Sequence, residues 1–303
     1  MSGVTPTRLF RWALVLPYVW LLLFFAVPFA IVAKISLSQS ALAQPPYTPA
    51  FDFAQGIAGW IEGVRALSLE SYAQLFDDTI YFDSYVSSIR LAAISTFISL
   101  LIAYPFALAI ARSSRRWRPI LFGLAIAPFW TSFLIRVYAW IAILKDEGLL
   151  NNALMAAGLI DEPLHIFATD WAVVIGIVYS YLPFMVLPIY VALERQDPSL
   201  LEAASDLGAS PWRSFWSVTA PLSLPGVLSG CLLMFIPAVG EFVIPDLLGG
   251  SDTLMIGRTM WVEFFDNRDW PTASAAAIVL LVALLIPISF YERMQERSLR
   301  NSA

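Results

Sequence analysis

The chain carries little charge for its length. Of its 303 residues, 14% are Asp, Glu, Lys or Arg, where a water-soluble domain holds about 25%. Lysine is nearly absent: Lys34 and Lys145 are the only two, and neither follows a glycine. A phosphate loop needs Gly-Lys followed by Ser or Thr, so this chain cannot itself be an ATP motor. Cysteine and histidine occur once each, as Cys231 and His165. That excludes an internal disulfide and a cysteine metal cluster, and it leaves no histidine set for zinc or for a catalytic triad.

Apolar residues take the place of the missing charge. They make up 59% of the chain, and the mean hydropathy is +0.72. No water-soluble fold of this length hides so much apolar surface behind so few charges, which excludes a secreted enzyme, a DNA-binding domain and a disordered scaffold.

Six apolar stretches are long enough to cross about 30 Å of hydrocarbon as helices. They run approximately from Ala13 to Ala33, Leu91 to Ala111, Ile120 to Leu144, Trp171 to Leu193, Leu224 to Leu248 and Ala273 to Phe290. Helices are the spans that satisfy their own backbone groups in lipid, so the expected fold is an all-α polytopic membrane protein. Arg8 and Arg11 followed by an apolar run imitate a secretory signal, but the run is longer than a signal core and Lys34 follows it, so it reads as a retained helix.

Sorting the charges by side gives an orientation. The connections on the side of the termini hold 11 basic residues, whereas the opposite loops (38–88, 145–170 and 249–271) hold four basic and 15 acidic residues. The positive-inside rule then puts both termini in the cytoplasm. An acidic outer face would concentrate cations. Equally, topology selection alone would strip Lys and Arg from the outside and leave the acids behind.

Charges inside spans are costly and usually functional, which singles out Arg136 and Glu241, with Asp246 near the outer edge. On straight helices both would stand about 26 Å above the inner end of their spans, close enough to meet. Two readings stay open. Arg136 and Glu241 form a buried structural pair, or Glu241 and Asp246 contact a cationic substrate beside Trp130, Tyr138, Trp140 and Tyr181 through cation–π attraction. Pro237 and Pro245 bracket Glu241, and Pro183 and Pro188 interrupt the fourth span, as expected of helices that pack together or line a cavity.

The fourth and fifth spans are joined by a structured loop, 194–222. Asp197 can cap a helix led by Pro198, Gly208 suits a left-handed end, and Ser210-Pro211 repeats the start signal for a second short helix ending near Pro221. Leu200, Ala203, Ala204 and Leu207 form an apolar stripe that needs either a partner protein or the chain's own inner face.

Glu202-Ala203-Ala204, then Gly208, then Val218-Thr219-Ala220-Pro221 resembles the EAA motif of ABC importer permeases. The resemblance extends through Lys34–Leu37, Pro45–Thr48, Trp130–Trp140, Phe235–Pro245 and Asn267–Pro271, and it is nearest to the polyamine branch, to putrescine importers of the PotH type. It implies a type I importer fold with a transmembrane core over 89–292, preceded by an N-terminal segment and first helix (1–37) and an outer segment (38–88), and followed by a cytoplasmic tail (293–303). It also implies a coupling role for Glu202, Ala203, Ala204, Gly208 and Pro221. The implied partners are a second permease, two ATPase subunits that hold the ATP and magnesium, and a periplasmic substrate-binding protein. This chain would bind no cofactor and no nucleic acid, and would sit among the lipids of a bacterial inner membrane. The alternatives are an importer permease of the same fold for spermidine or another small solute and, from another class, an ion-driven carrier that would use Glu241 as a cation or proton site.

Overall fold

The computed structural model describes residues 8–50 and 63–301. Five helices are long and apolar enough to cross a membrane, and a pair bent by 90° makes a sixth span if counted as one. The first span is α1 (Arg8–Leu21), a π turn (Leu22–Ala26) and α2 (Val27–Ser36). The chain divides into two compact units, Met1–Phe82 with Met260–Val282, and Asp83–Thr259 with Ala283–Ala303.

In the first unit the chain leaves α2 through β1 (Gln39–Ser40) and β2 (Tyr47–Thr48), an antiparallel pair with Gln39 opposite Thr48. The helix α3 (Glu70–Asp77) follows. Lys34 donates to the carbonyl of Pro49 and lies 4.2 Å from the Tyr47 ring centroid, so the one lysine near the first span is held at the start of the outer segment. Gln39 donates to Glu70 at 3.0 Å. Asp52 and Glu62, two of the expected outer acids, lie outside the described residues.

The next helix, α4, runs from Thr79 to Arg112, so the expected boundary at 88/89 falls inside it. At 34 residues it is about 51 Å long, well beyond the hydrocarbon thickness, and its first turns extend past the apolar stretch read from the sequence.

The third stretch departs most from expectation. In place of one straight span there is α5 (Arg118–Ile126), a 3₁₀ turn (Ala127–Trp130), a break at Thr131–Ser132, then α6 (Phe133–Leu144) and α7 (Leu149–Ala156). The cause is local. Pro128 has no N–H to continue the helix, and Thr131 is extended with ψ 152°. A 90° bend invalidates the depth assigned to Arg136 on a straight helix.

Helix α8 (Asp170–Glu194) forms the centre of the second unit, with Ile177, Met185 and Ile189 fully buried. It packs along α11 (Ala220–Val239) at van der Waals distance because Gly226 has no side chain: a Cβ there would lie 2.4 Å from Ala192 Cβ and 2.6 Å from the Pro188 carbonyl. Small residues at helix contacts are how membrane helices gain packing without a hydrophobic drive. Past Val239, α11 stops at Gly240, and the chain resumes as α12 (Val243–Leu248) and then α13 (Ile256–Trp261). The fifth span therefore ends nine residues earlier than read from the sequence, because Pro237 weakens its last turn. The final helix, α14, covers Trp270–Asn301.

Between α8 and α11 the two expected short helices are present as α9 (Ser199–Asp206) and α10 (Pro211–Ser214). Asp197 accepts from the Ser199 N–H at 2.9 Å, Gly208 takes φ +78°, and the Ser210 side chain accepts from Arg213 N. The second helix does not end near Pro221. A π turn (Phe215–Thr219) carries it directly into α11, and the wide turn leaves the proline, which has no N–H to donate, in the first turn of α11.

Candidate functional site

Two breaks in the helices meet at one cavity. The break before α6 contributes Phe129, Phe133 and Arg136; α8 contributes Ser180, Tyr181 and Phe184; the break after α11 contributes Pro237, Gly240, Glu241, Phe242 and Val243. The cavity holds about 380 Å³.

Glu241 is 7% exposed and its carboxylate is occupied on both oxygens. Oε1 accepts from the backbone N–H of Phe242 at 3.1 Å, Val243 at 2.9 Å and Ile244 at 3.4 Å, while Oε2 accepts from the Tyr181 hydroxyl. Its first task is thus to cap α12 across the break, satisfying N–H groups that a helix end leaves orphaned.

Arg136 is 8% exposed. The structural pair with Glu241 does not close: no contact of 4.0 Å or less joins them, and Arg136 Nε and Nη1 have no hydrogen-bond partner. Its guanidinium instead lies 5.5 Å from the Phe129 ring centroid and 5.7 Å from that of Phe133. Ser180 Oγ is likewise buried without a partner.

Of the residues singled out in sequence, the structure brings Arg136, Tyr181 and Glu241 together. It leaves four elsewhere. Trp130 and Tyr138 are exposed, because the bend turns the end of the 3₁₀ segment and one face of α6 outward. Trp140 packs edge-on against Tyr179 at 5.4 Å. Asp246 is exposed and bound to Arg258 Nε at 3.3 Å. Sequence reasoning missed Ser180 and the phenylalanines, which carry no charge to mark them. Arg258 stands among the loop charges of 249–271, where nothing in the sequence marks Asp246 as its partner. Among the described residues, no group of three or more His, Cys, Asp or Glu side chains could hold a metal ion.

The end of this unit that carries Arg90, Asp170 and Arg258 is tied by polar contacts. Arg90 bonds Asp170, whose other oxygen accepts from Thr253 Oγ1 at 2.9 Å. Arg258 also donates to the Gly250 carbonyl at 3.1 Å. At the far end, Arg118 joins the Glu194 carboxylate at 2.9 Å to the Ala111 carbonyl at 2.8 Å.

The α9–α10 loop is the second candidate surface. No residue of α9 is buried. Leu207 is 89% exposed and Trp212 70%, with Leu200 and Trp216 also exposed. The stripe therefore does not pack on the chain's own inner face.

Residues 93–301 match the family described as binding-protein-dependent transport system inner membrane component. The spermidine/putrescine transport system permease protein PotB of Salmonella typhimurium is 43% identical over 226 residues, 75% of this chain and 78% of that protein. PotB of Escherichia coli is 42% identical, over 75% and 82%. The inner membrane ABC transporter permease protein YdcU of Escherichia coli is 31% identical, over 75% and 76%. These relatives support the polyamine permease resemblance without singling out the PotH type. Among solved structures, a chain of a bacterial alginate ABC transporter in complex with a pentasaccharide-bound periplasmic protein superposes with a TM-score of 0.69 at 18% identity, covering 95% of this chain and 94% of that one. A chain of the MetNI methionine ABC transporter gives 0.53 at 16% identity, over 70% and 93%. The fold is that of type I ABC importer permeases, and the chain belongs to the family of binding-protein-dependent transport system inner membrane components, as a multi-pass subunit that is not itself an enzyme.

Proposed function

We propose that this chain is the permease subunit of an ATP-driven polyamine importer and that its substrate is putrescine. The observation that carries the import reading is the exposed α9–α10 surface. A capped helix pair with Leu200, Leu207, Trp212 and Trp216 facing outward is a built docking face, and the chain has no phosphate loop of its own. Glu202, Ala203, Ala204 and Gly208 lie on that face, and Pro221 lies where its second arm enters α11. The relatives named for spermidine and putrescine transport support the substrate class.

In this reading a second permease completes the path, two ATPase subunits bind ATP and magnesium and press on α9–α10, and a binding protein delivers the amine to the acidic outer loops. Both termini face the cytoplasm, in accord with the distribution of Arg. The outward-open state is favoured only while the ATPase binds it better than the inward one. Glu241, Tyr181 and the phenylalanines then line part of the amine path.

The deciding experiment is ATP hydrolysis by the co-assembled complex in lipid, with the binding protein and putrescine, spermidine, sulfate or iron(III) in turn. Stimulation by putrescine above spermidine supports the full reading. Stimulation by sulfate or iron alone would remove the polyamine, and uptake that persists without any ATPase subunit would establish an ion-driven carrier.

A further inference from the structure

The turn that joins α4 to α5 is dense in arginine, with Arg112, Arg115, Arg116 and Arg118. One of these is committed to the fold. Arg118 donates to the Glu194 carboxylate at 2.9 Å and to the carbonyls of Ala111 at 2.8 Å and Ser113 at 3.4 Å, which bolts the turn to the end of α8. The Ser113 hydroxyl donates to the Ile110 carbonyl at 2.7 Å, and the N–H groups of Trp117 and Arg118 reach the Ser114 carbonyl at 3.0 and 3.1 Å. The backbone is thus a fixed base. Arg112, Arg115 and Arg116 extend from it exposed, and among the described residues no hydrogen bond or ion pair occupies their side chains. The carboxylate that touches the turn, Glu194, is already answered by Arg118, so these three charges remain without a partner.

The surroundings select the ligand. Helix α4 ends at Arg112 and α5 begins at Arg118, so the short connection cannot carry its arginines far from the level at which both helices end. Beside it the helices expose large apolar side chains, Phe106 on α4 and Ile120 and Leu124 on α5. Trp117, 58% exposed, stands next to the arginines, as indoles do at the headgroup level of a bilayer. The α9–α10 surface differs: its exposed groups are chiefly leucine and tryptophan, which suits a protein neighbour. An apolar wall topped by a cationic rim instead matches a phospholipid with a negative headgroup. Lysine would satisfy the topology rule equally well, yet the rim is all arginine, whose planar fork fits two phosphate oxygens where lysine offers a point charge.

We propose that the Arg112–Trp117 turn is a binding site for an anionic phospholipid, with Arg112, Arg115 and Arg116 around its phosphate and Trp117 at the base of its headgroup. This depends on the chain being a membrane protein and not on its cargo. A zwitterionic lipid brings the same phosphate with an ammonium that the arginines repel, so the site discriminates by net charge. Each arginine strengthens the hold on an anionic lipid about 5-fold.

The test titrates the complete complex, in neutral detergent, with dioleoyl phosphatidylglycerol and separately with dioleoyl phosphatidylcholine. Native mass spectrometry reads the affinity for the first bound lipid of each kind. The parent should hold phosphatidylglycerol more tightly by about 5-fold or more; no preference would mean that a neighbouring subunit covers the turn, and would overturn the proposal. Arg115→Gln with Arg116→Gln should weaken phosphatidylglycerol roughly 25-fold and leave phosphatidylcholine nearly unchanged. Arg115→Lys with Arg116→Lys should recover most of that loss, which a packing defect would not allow. An unchanged preference in the double Gln variant, or an equal loss for both lipids, would count against the site. Where that variant fails to assemble, Arg116→Gln alone should show the single step of about 5-fold, and its absence decides against the site. Arg65→Gln removes an exposed arginine elsewhere; the same loss there would reduce the effect to net charge and overturn the site. Inorganic phosphate, against a chloride control of equal ionic strength, should leave the bound phosphatidylglycerol in place, and displacement would make this a soluble-phosphate site instead.

Discussion

Replacing Glu241 by Ala should loosen the start of α12, and the size of the effect can be worked from its contacts. One carboxylate oxygen receives the N–H groups of Val243 at 2.9 Å, Phe242 at 3.1 Å and Ile244 at 3.4 Å. Three donors share one oxygen, and the third is long, so the arrangement amounts to one strong cap with weaker support. Loss of a helix cap costs about 0.5–2 kcal/mol. If these amides exchange through local opening, that cost corresponds to roughly 2- to 30-fold faster hydrogen exchange. Hydrogen–deuterium exchange with mass spectrometry on peptides covering 241–248 reads this directly in the assembled complex. Glu241→Gln keeps a carbonyl oxygen for Val243 but loses the formal charge, so its exchange should fall between the parent and Glu241→Ala. Tyr181→Phe removes the donor to the other oxygen and should leave the peptide nearly as protected as in the parent. Unchanged exchange at 242–244 in Glu241→Ala would refute the reasoning, because the carboxylate would then not be what holds the broken helix.

Gly226→Ala should destabilise the α8–α11 packing by about 1–3 kcal/mol, since its Cβ would meet Ala192 Cβ at 2.4 Å; lower thermal stability of the purified complex is the expected readout, and an unchanged midpoint would show that the helices part freely. Gly208→Ala forces a side chain into φ +78° at a cost of about 1–2 kcal/mol, and substrate-stimulated ATP hydrolysis should fall while unstimulated hydrolysis by the ATPase persists. The Ser199 N–H, and then its side chain, hold the Asp197 carboxyl below the usual carboxylate range. Its contribution to loop order is therefore complete above the ordinary carboxylate pKa of about 3.9 and fades only as pH falls through the lower folded value. Limited proteolysis of residues 197–210 should accordingly be flat from pH 5 to pH 8, and a sharp rise between pH 7 and pH 6 would assign loop order to another group. Arg118→Lys should fail to restore the stability lost in Arg118→Ala, because the guanidinium reaches Glu194 and the Ala111 carbonyl at once and a lysine reaches one.

What could be read from the sequence follows from which forces act over long stretches. A span needs only some twenty apolar residues, so the apolar middles of the five long helices are visible in composition, but not their starts at Thr79 and Pro211 or the end of the fifth span at Val239. The α9–α10 turn was equally visible, because Asp197, Pro198, Gly208, Ser210 and Pro211 each carry a local backbone preference that does not depend on the rest of the fold. The third span was not. Pro128 and Ser132 signal a break only if the chain on both sides has something to pack against, and inside an apolar run every direction looks the same. The same blindness decided the fate of Arg136. On a straight helix its rise places it near Glu241, where a buried pair is one of the two readings the charges allow. The bend and the early end of α11 put both in one cavity yet gave Glu241 nearer partners, its own following amides and Tyr181. Backbone N–H groups freed by a helix break are fixed in position and close by, so a carboxylate at the break meets them with little loss of side-chain freedom, whereas a distant guanidinium has to be brought to it. The proline-bracketed break that pointed to Glu241 in sequence is therefore also what separates it from Arg136 and leaves the arginine as the unanswered charge in the cavity.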